Sequence, residues 1–332
     1  LAVRLDPSIR LAPRTTRPRF ARKIGRRRFR RQHPPEQLRL REPGMGVALS
    51  TVKLGAGDHN RDAAGMTYVY PVVSRRAGGV SIGINLSPNN ACNFRCIYCQ
   101  VPGLVRGKPP AIDLDLLLRE LRSMLEQVVR GDFLGRSVPE PYRRLNDVAL
   151  SGNGEPTASP QLLEAIETTG KALADFGLLG AVKLVLITNG SLIHQPRVAR
   201  ALQRMSELNG EVWFKLDVVT RHQAERIHGT GFDPERHLQR LARASRLCPA
   251  FIQTCVFSTG GRAPSVEERT AYLGVLARLI RDAVPVRGVL LYTLARQPQR
   301  PEGRDLAALP QQWLRDFAQQ IERTGMPVRV AL

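Results

Sequence analysis

From about residue 80 onward the chain alternates short apolar runs with longer stretches in which apolar residues recur every three or four positions. The short runs cover 80–86, 147–150, 182–187, 212–216, 251–257 and 289–292, and read as strands with little polar interruption. Helical spacing occupies 114–130, 159–176, 195–207, 233–247, 265–282 and 310–323. Ser159 and Pro160 are expected to be the N-cap and first position of the second helix. Six strand-then-helix units in succession predict an α/β fold, a parallel sheet with right-handed crossovers. Pattern alone leaves an open sheet, a partial barrel and a closed barrel all standing. In each of them function belongs at the carboxyl ends of the strands, so the loops that follow the strands are where chemistry is sought.

Three regions are expected: a basic N-terminal extension over 1–65, a core domain over 66–305, and a C-terminal helix and strand over 306–332 that pack on the core. Among the first 44 residues, 14 are basic and only Asp6, Glu36 and Glu42 are acidic. Many prolines and no sustained apolar periodicity predict disorder there. Three readings compete for that segment: an RNA-binding arm, an Arg-rich targeting peptide, or residues upstream of a start at Met45 or Met66. An export signal is disfavoured because the arginine run leads into QHPPEQLRLREPG and not an apolar stretch.

Composition adds limits. With 42% hydrophobic and 24% charged residues, the 332-residue chain can bury a core, which excludes wholesale disorder. The formal charge is +21, of which +11 lies in residues 1–44 and +10 in the rest. Only six of the 50 cations are lysine, and an Arg bias of this kind can come from a GC-rich genome. Nothing approaches a membrane-spanning run. Five cysteines, three of them within eight residues, do not resemble a disulfide framework and point to a reducing, cytoplasmic location.

The loop after the first predicted strand reads SPNNACNFRCIYCQ, placing Cys92, Cys96 and Cys99 in a CxxxCxxC pattern. Three thiolates on one short loop can hold three irons of a 4Fe-4S cubane and leave the fourth iron open to a further ligand. A zinc site would need a fourth ligand, and His59 and His194 are distant in sequence. Three structural cysteines are the other alternative. Cys248 and Cys255 lie beside or within the fifth apolar run and read as core cysteines, too few for a second cluster.

This loop, with Tyr98 just before its third cysteine, resembles the hallmark of the radical S-adenosylmethionine (SAM) superfamily. The resemblance implies a partial (β/α)6 barrel of parallel strands with outer helices. Its implied cofactors are a 4Fe-4S cluster and SAM, and its implied chemistry is reductive cleavage of SAM to a 5′-deoxyadenosyl radical that abstracts hydrogen from a substrate. Ser151 to Thr157, SGNGEPT, resembles the glycine-rich motif that binds the methionine amino group, giving Gly152, Asn153, Gly154 and Glu155 as cofactor-binding candidates beside Tyr98. Thr188 and Asn189, at the end of KLVLI, resemble the polar strand end that contacts the ligand's ribose or carboxylate. Lys215 and Asp217, two residues apart in the fourth strand, share a face; they read as catalytic residues lining the site, or as a structural ion pair.

A narrower likeness, carried by YPVVSRRAGGVSIGINLSP, SGNGEPT and YTLARQP, is to Fe-S oxidoreductases related to the wyosine-forming tRNA enzymes. It makes a tRNA base the candidate substrate, with Arg75, Arg76, Tyr292 and Arg296 on the substrate side and Arg221, Arg226, Arg240, Arg243 and Arg246 as a phosphate-contacting face. An electron donor such as flavodoxin or ferredoxin is the expected partner, and no membrane is. A glycyl-radical activating enzyme and a non-catalytic Fe-S redox or RNA-binding protein are the alternatives; the intact Glu155 motif speaks against the second.

Overall fold

Each apolar run expected to be a strand lies in one curled sheet of eight strands in the computed structural model, which describes residues 52–55, 64–231 and 233–331. In chain order the strands are β1 (Val69–Ser74), β2 (Gly79–Asn85), β3 (Leu145–Ser151), β4 (Lys183–Thr188), β5 (Gly210–Lys215), β6 (Ala250–Val256), β7 (Val286–Thr293) and β8 (Val328–Ala331). Their spatial order is the same as their chain order. All neighbours from β2 to β8 are parallel; β1 alone runs antiparallel, paired from Val69↔Ile84 to Ser74↔Gly79. Among the described residues β1 and β8 do not pair, so the barrel is partial.

The helices of eight residues or more are α1 (Leu114–Val129), α2 (Leu162–Asp175), α3 (Pro196–Glu207), α4 (Arg221–His228), α5 (Pro234–Leu247), α6 (Val266–Arg281) and α7 (Gln311–Glu322). Alternation along each strand divides its side chains between two cores. Val212 and Phe214 of β5 face outward into a large cluster with helix residues such as Leu121, Leu202 and Leu241. Trp213 joins Ala149, Val185, Phe251 and Leu290 in a smaller cluster on the inner face. Burial on both faces explains why β2 and β6 carry no exposed residue and read as continuous apolar runs.

Three local features differ from expectation. α2 begins at Leu162, not at 159: Ser159 closes a one-turn 3-10 segment, Pro156–Ala158, and Gln161 is the cap. The Ser159 amide donates to the Pro156 carbonyl and so belongs to that turn, while its carbonyl accepts from Arg197 at 2.7 Å. β1 was not anticipated; Pro71 inside it removes a ladder donor, which suits an edge strand. α4 was also not anticipated, although Thr220 caps it by accepting from the Gln223 amide and Gly229 closes it at φ 61°.

Packing on the core starts ahead of the expected boundary at 66, since Val52 and Leu54 are buried in the outer cluster and the Leu54 amide donates to the Ser137 carbonyl at 2.8 Å. The basic extension over 1–51 and residues 56–63 lie outside the described residues. No helix among the described residues is long and apolar enough to cross a membrane.

The edge hairpin is fastened to α1 by one carboxylate. Glu120 accepts from the amides of Thr67 (2.7 Å), Tyr68 (2.7 Å) and Val69 (3.2 Å). Glu120→Ala leaves three amides without that partner and is expected to cost about 1–3 kcal/mol, measured as a lower urea midpoint at unchanged m-value.

Candidate active site

The loop after β2 carries the three cysteines, and its backbone is fixed from outside. Arg95 and Ile97 donate their amides to the His228 (2.8 Å) and Ile227 (2.9 Å) carbonyls at the end of α4, and Gln299 donates to the Cys99 carbonyl at 2.8 Å. Within the loop, the Cys99 amide reaches the Cys96 carbonyl at 3.1 Å. Cys92, Cys96 and Cys99, with Tyr98 before the last, line one cavity of about 280 Å³ at the carboxyl ends of the strands.

The motif after β3 lines the same cavity with Gly152, Asn153, Gly154 and Glu155. Its glycines are needed for contact with protein as well as for any ligand. Gly152 has φ 106° and a Cβ there would fall 2.7 Å from the Asn85 Cα; one on Gly154 would fall 2.1 Å from the Ala91 carbonyl oxygen. Only residues without a Cβ let this loop nest against the base of the cysteine loop. Asn153 adds to that contact, its amide donating to the Asn85 side chain at 3.0 Å and its side-chain nitrogen to Asn90 at 2.7 Å.

Glu155 is 2% exposed. Its Oε1 accepts from the Thr157 amide (3.0 Å), the Thr157 hydroxyl (2.5 Å) and the Thr188 hydroxyl (2.6 Å), and its Oε2 from the Asn189 amide at 2.7 Å. Burial raises its pKa against the pull of these donors. Oε2 therefore keeps one acceptor position open. Of the pair predicted after β4, Asn189 lines the cavity, whereas Thr188 is buried beneath Glu155 and serves it as a donor.

Lys215 and Asp217 separate in the same way. Lys215 lines the cavity, its ammonium 3.3 Å from the Tyr292 hydroxyl and 5.0 Å from the centroid of the Tyr98 ring. Asp217 does not line it. It follows the end of β5, buried, accepts from the Tyr98 hydroxyl and from the Cys255 amide at 2.7 Å, and is ion-paired with Lys215 at 3.5 Å, with His228 Nε2 at 3.3 Å. Burial would lower the Lys215 pKa and raise that of Asp217, but each is carried the other way by its partner.

Arg75, Arg76, Tyr292 and Arg296 all line the cavity. Cys248 is buried at the end of α5 as expected of a core cysteine; Cys255 is buried too, yet lines the cavity. Gln253, also lining it, was not singled out in the sequence. A polar residue inside an apolar run, FIQTCVF, was its signal.

A sequence model of the radical SAM superfamily matches residues 86–273, more than half of the chain. The chain belongs to the radical SAM superfamily. It is 31% identical over 162 residues to a UPF0026 protein of Helicobacter pylori, covering 47% of this chain and 44% of that one. A UPF0026 protein of Methanocaldococcus jannaschii is 33% identical over 155 residues, 45% of this chain and 40% of that one. The chain thus spans less than half the length of these curated relatives. A radical SAM methyltransferase from Sphaerobacter thermophilus shares the fold, with a TM-score of 0.51 at 15% identity over 76% of this chain and 66% of that one.

A radical SAM enzyme needs a 4Fe-4S cluster and SAM, and the donor set here fits both. The three thiols are free and border one cavity. Burial pushes Cys92 up to about 12 and raises Cys96 as well, so iron would displace protons from thiols otherwise held neutral. Among the described residues no three Cys, His, Asp or Glu side chains converge as ligands of a single ion. For SAM, the free position on Glu155 and the close-nested glycine loop offer a place for an ammonium group.

One carboxylate deep in the cavity gives a pH signature. Burial pushes Asp147 up from 3.8 to about 6, against the hydrogen bond from Ser81 and the charge of Arg76. Between about pH 4 and 6 the folded chain keeps a proton that the unfolded chain has lost, so stability falls as pH rises through that window. Asp147→Asn is expected to remove this slope and to gain on the wild type by up to about 3 kcal/mol near pH 7, read from denaturant midpoints at pH 4 and 7.

Proposed function

We propose that this enzyme cleaves SAM reductively and uses the resulting 5′-deoxyadenosyl radical to abstract hydrogen from a substrate held in the cavity between the cysteine loop and the inner faces of β5 to β7. The observation that carries the reading is the convergence on one cavity of Cys92, Cys96 and Cys99, the Gly152–Glu155 loop and Asn189. When bound, the cluster supplies the electron that breaks the sulfonium bond. The three cysteines would hold it, while Glu155 Oε2 and the glycine loop receive the amino-acid end of SAM. Lys215 and Tyr292 face the substrate side, and Asp217 acts as a positioning residue that aims both Lys215 and Tyr98. The aromatic and aliphatic residues of the inner cluster keep water from the radical's surroundings.

A flavodoxin or ferredoxin is the proposed electron donor. The +10 carried outside residues 1–44 favours a tRNA base as substrate, and a cavity of about 280 Å³ would admit only an extruded base. The arginines of the outer helices contribute unevenly to such a surface. Arg226 is paired with Glu268 at 2.8 Å. Arg243 and Arg246 lie in the second half of α5, which descends from the strand ends, so Arg246 stands about 18 Å along the helix from its start.

Anaerobic reconstitution with iron and sulfide, followed by dithionite and SAM, is expected to yield 5′-deoxyadenosine from the wild type and none above background from Cys92→Ala. Equal yields from both would overturn the reaction. For the RNA reading, sequencing the RNA that copurifies with the full chain and with a chain starting at Met45 should show the same enriched tRNA in both; enrichment lost with residues 1–44 assigns it to the basic arm instead.

A further inference from the structure

We propose that the inner part of the cavity is built to recognise an oxyanion on the substrate, a carboxylate or a phosphate, gripped by Arg76 and Lys215 and read by the side-chain amide of Gln253. The proposal rests on the reading above that the substrate enters this cavity. It adds the chemical class of the group that enters.

Gln253 is 0% exposed and lines the cavity. Neither its Nε2 nor its Oε1 has a hydrogen-bond partner. A buried amide left with neither a donor nor an acceptor satisfied is costly, and such a group at the wall of a cavity marks a place where a ligand's polar atoms complete it. It sits on β6 directly across from Lys215 of β5, its register partner.

The charges around it set the sign of that ligand. Among the described residues four cations line the cavity (Arg75, Arg76, Lys215 and Arg296) with two carboxylates, Asp147 and Glu155; Lys215 is also ion-paired with Asp217 behind the wall at 3.5 Å, which leaves the cations one in excess. Both carboxylates are already engaged, Asp147 by Ser81 and Glu155 by four protein donors. The Arg76 guanidinium has no carboxylate within salt-bridge distance among the described residues; it lies over two aromatic rings, 4.7 Å from the centroid of Tyr292 and 5.7 Å from that of Trp213. Its neighbour Arg75 is held below its ordinary pKa by burial and then by the adjacent Arg76 charge. Tyr292 links the two gripping cations, since Lys215 reaches its hydroxyl while Arg76 covers its face. Loading the site does not relieve this excess, because the single negative charge of an oxidised cluster on three thiolates is offset by the single positive charge of SAM. An oxyanion does, and it can also accept from Gln253 Nε2 in a charge-assisted hydrogen bond.

The test is anaerobic calorimetry on the reconstituted, SAM-loaded full chain, titrated separately with propionate, inorganic phosphate and the neutral isostere propionamide. One anion is expected to bind saturably at one site per chain, with propionamide at least tenfold weaker. Preference for propionate assigns a carboxylate substrate, and preference for phosphate a phosphorylated one. Arg76→Gln and Gln253→Leu should each weaken that anion at least tenfold, while Lys171→Gln, exposed on α2, leaves it unchanged. Gln253→Leu should also raise the melting temperature of the ligand-free chain by about 2 °C, because it removes two unpaired buried atoms. A purely structural Gln253 gives the opposite sign. Propionamide binding as well as the anions, or both cavity variants binding as the wild type does, overturns the proposal. A chain that binds the anion but forms no 5′-deoxyadenosine fails the reaction and leaves the recognition site standing; the reverse result sinks the recognition site alone.

Discussion

Asp217 is the point on which the geometry of the site depends. It is a buried carboxylate just beyond a strand end, and its bonds reach four separate pieces of chain: the cysteine loop through Tyr98, β5 through Lys215, β6 through the Cys255 amide and α4 through His228. Its pKa stays below the usual range although burial alone would raise it. A carboxylate satisfied from that many directions fixes the distance between the loop that carries the thiols and the strands that face the substrate. Removing one partner of such a buried network generally costs more than the network contributes to stability, because the remaining charge is stranded.

Glu155 does the corresponding work on the other side of the cavity, joining the glycine loop to the end of β4. The two carboxylates share a principle. Each spends most of its hydrogen-bonding capacity on protein donors, so each fixes backbone first and meets ligand second, if at all. Residues identified by motif as binding groups can thus also be supports of the site, while Arg76, which lies over two aromatic rings, keeps its hydrogen-bonding capacity free of any carboxylate within salt-bridge distance among the described residues.

Most of the fold was legible because burial on both faces leaves a strand with mostly apolar residues, and β2 to β7, the six strands expected from the apolar runs, fall with their helices within a few residues of the expected places. What was missed had physical reasons. β1 contains Pro71, which argues against a strand unless its position at a sheet edge is known. α4 has just eight residues and a polar composition, so its caps were a stronger signal than its periodicity. Ser159 resembled a cap, but its amide closes the 3-10 turn before it and its carbonyl is held by Arg197, 38 residues away. In the site, the cysteines and glycines were legible because their spacing is local. The division of labour between Lys215 and Asp217 was not, since two residues that share a strand face can still part where the strand ends. Gln253 looked like one more position in an apolar run; only the curl of the sheet turns it toward a cavity.

Among the described residues the partial barrel leaves two strands without an outer neighbour, and the chain blunts both. β1 offers a ladder interrupted by the missing N–H of Pro71, and β8 is four residues long with an arginine at its second position. Neither presents the long, flat row of unpaired amides on which another chain could extend the sheet. The unclosed side of the sheet is in this way a poor template for strand addition by another chain.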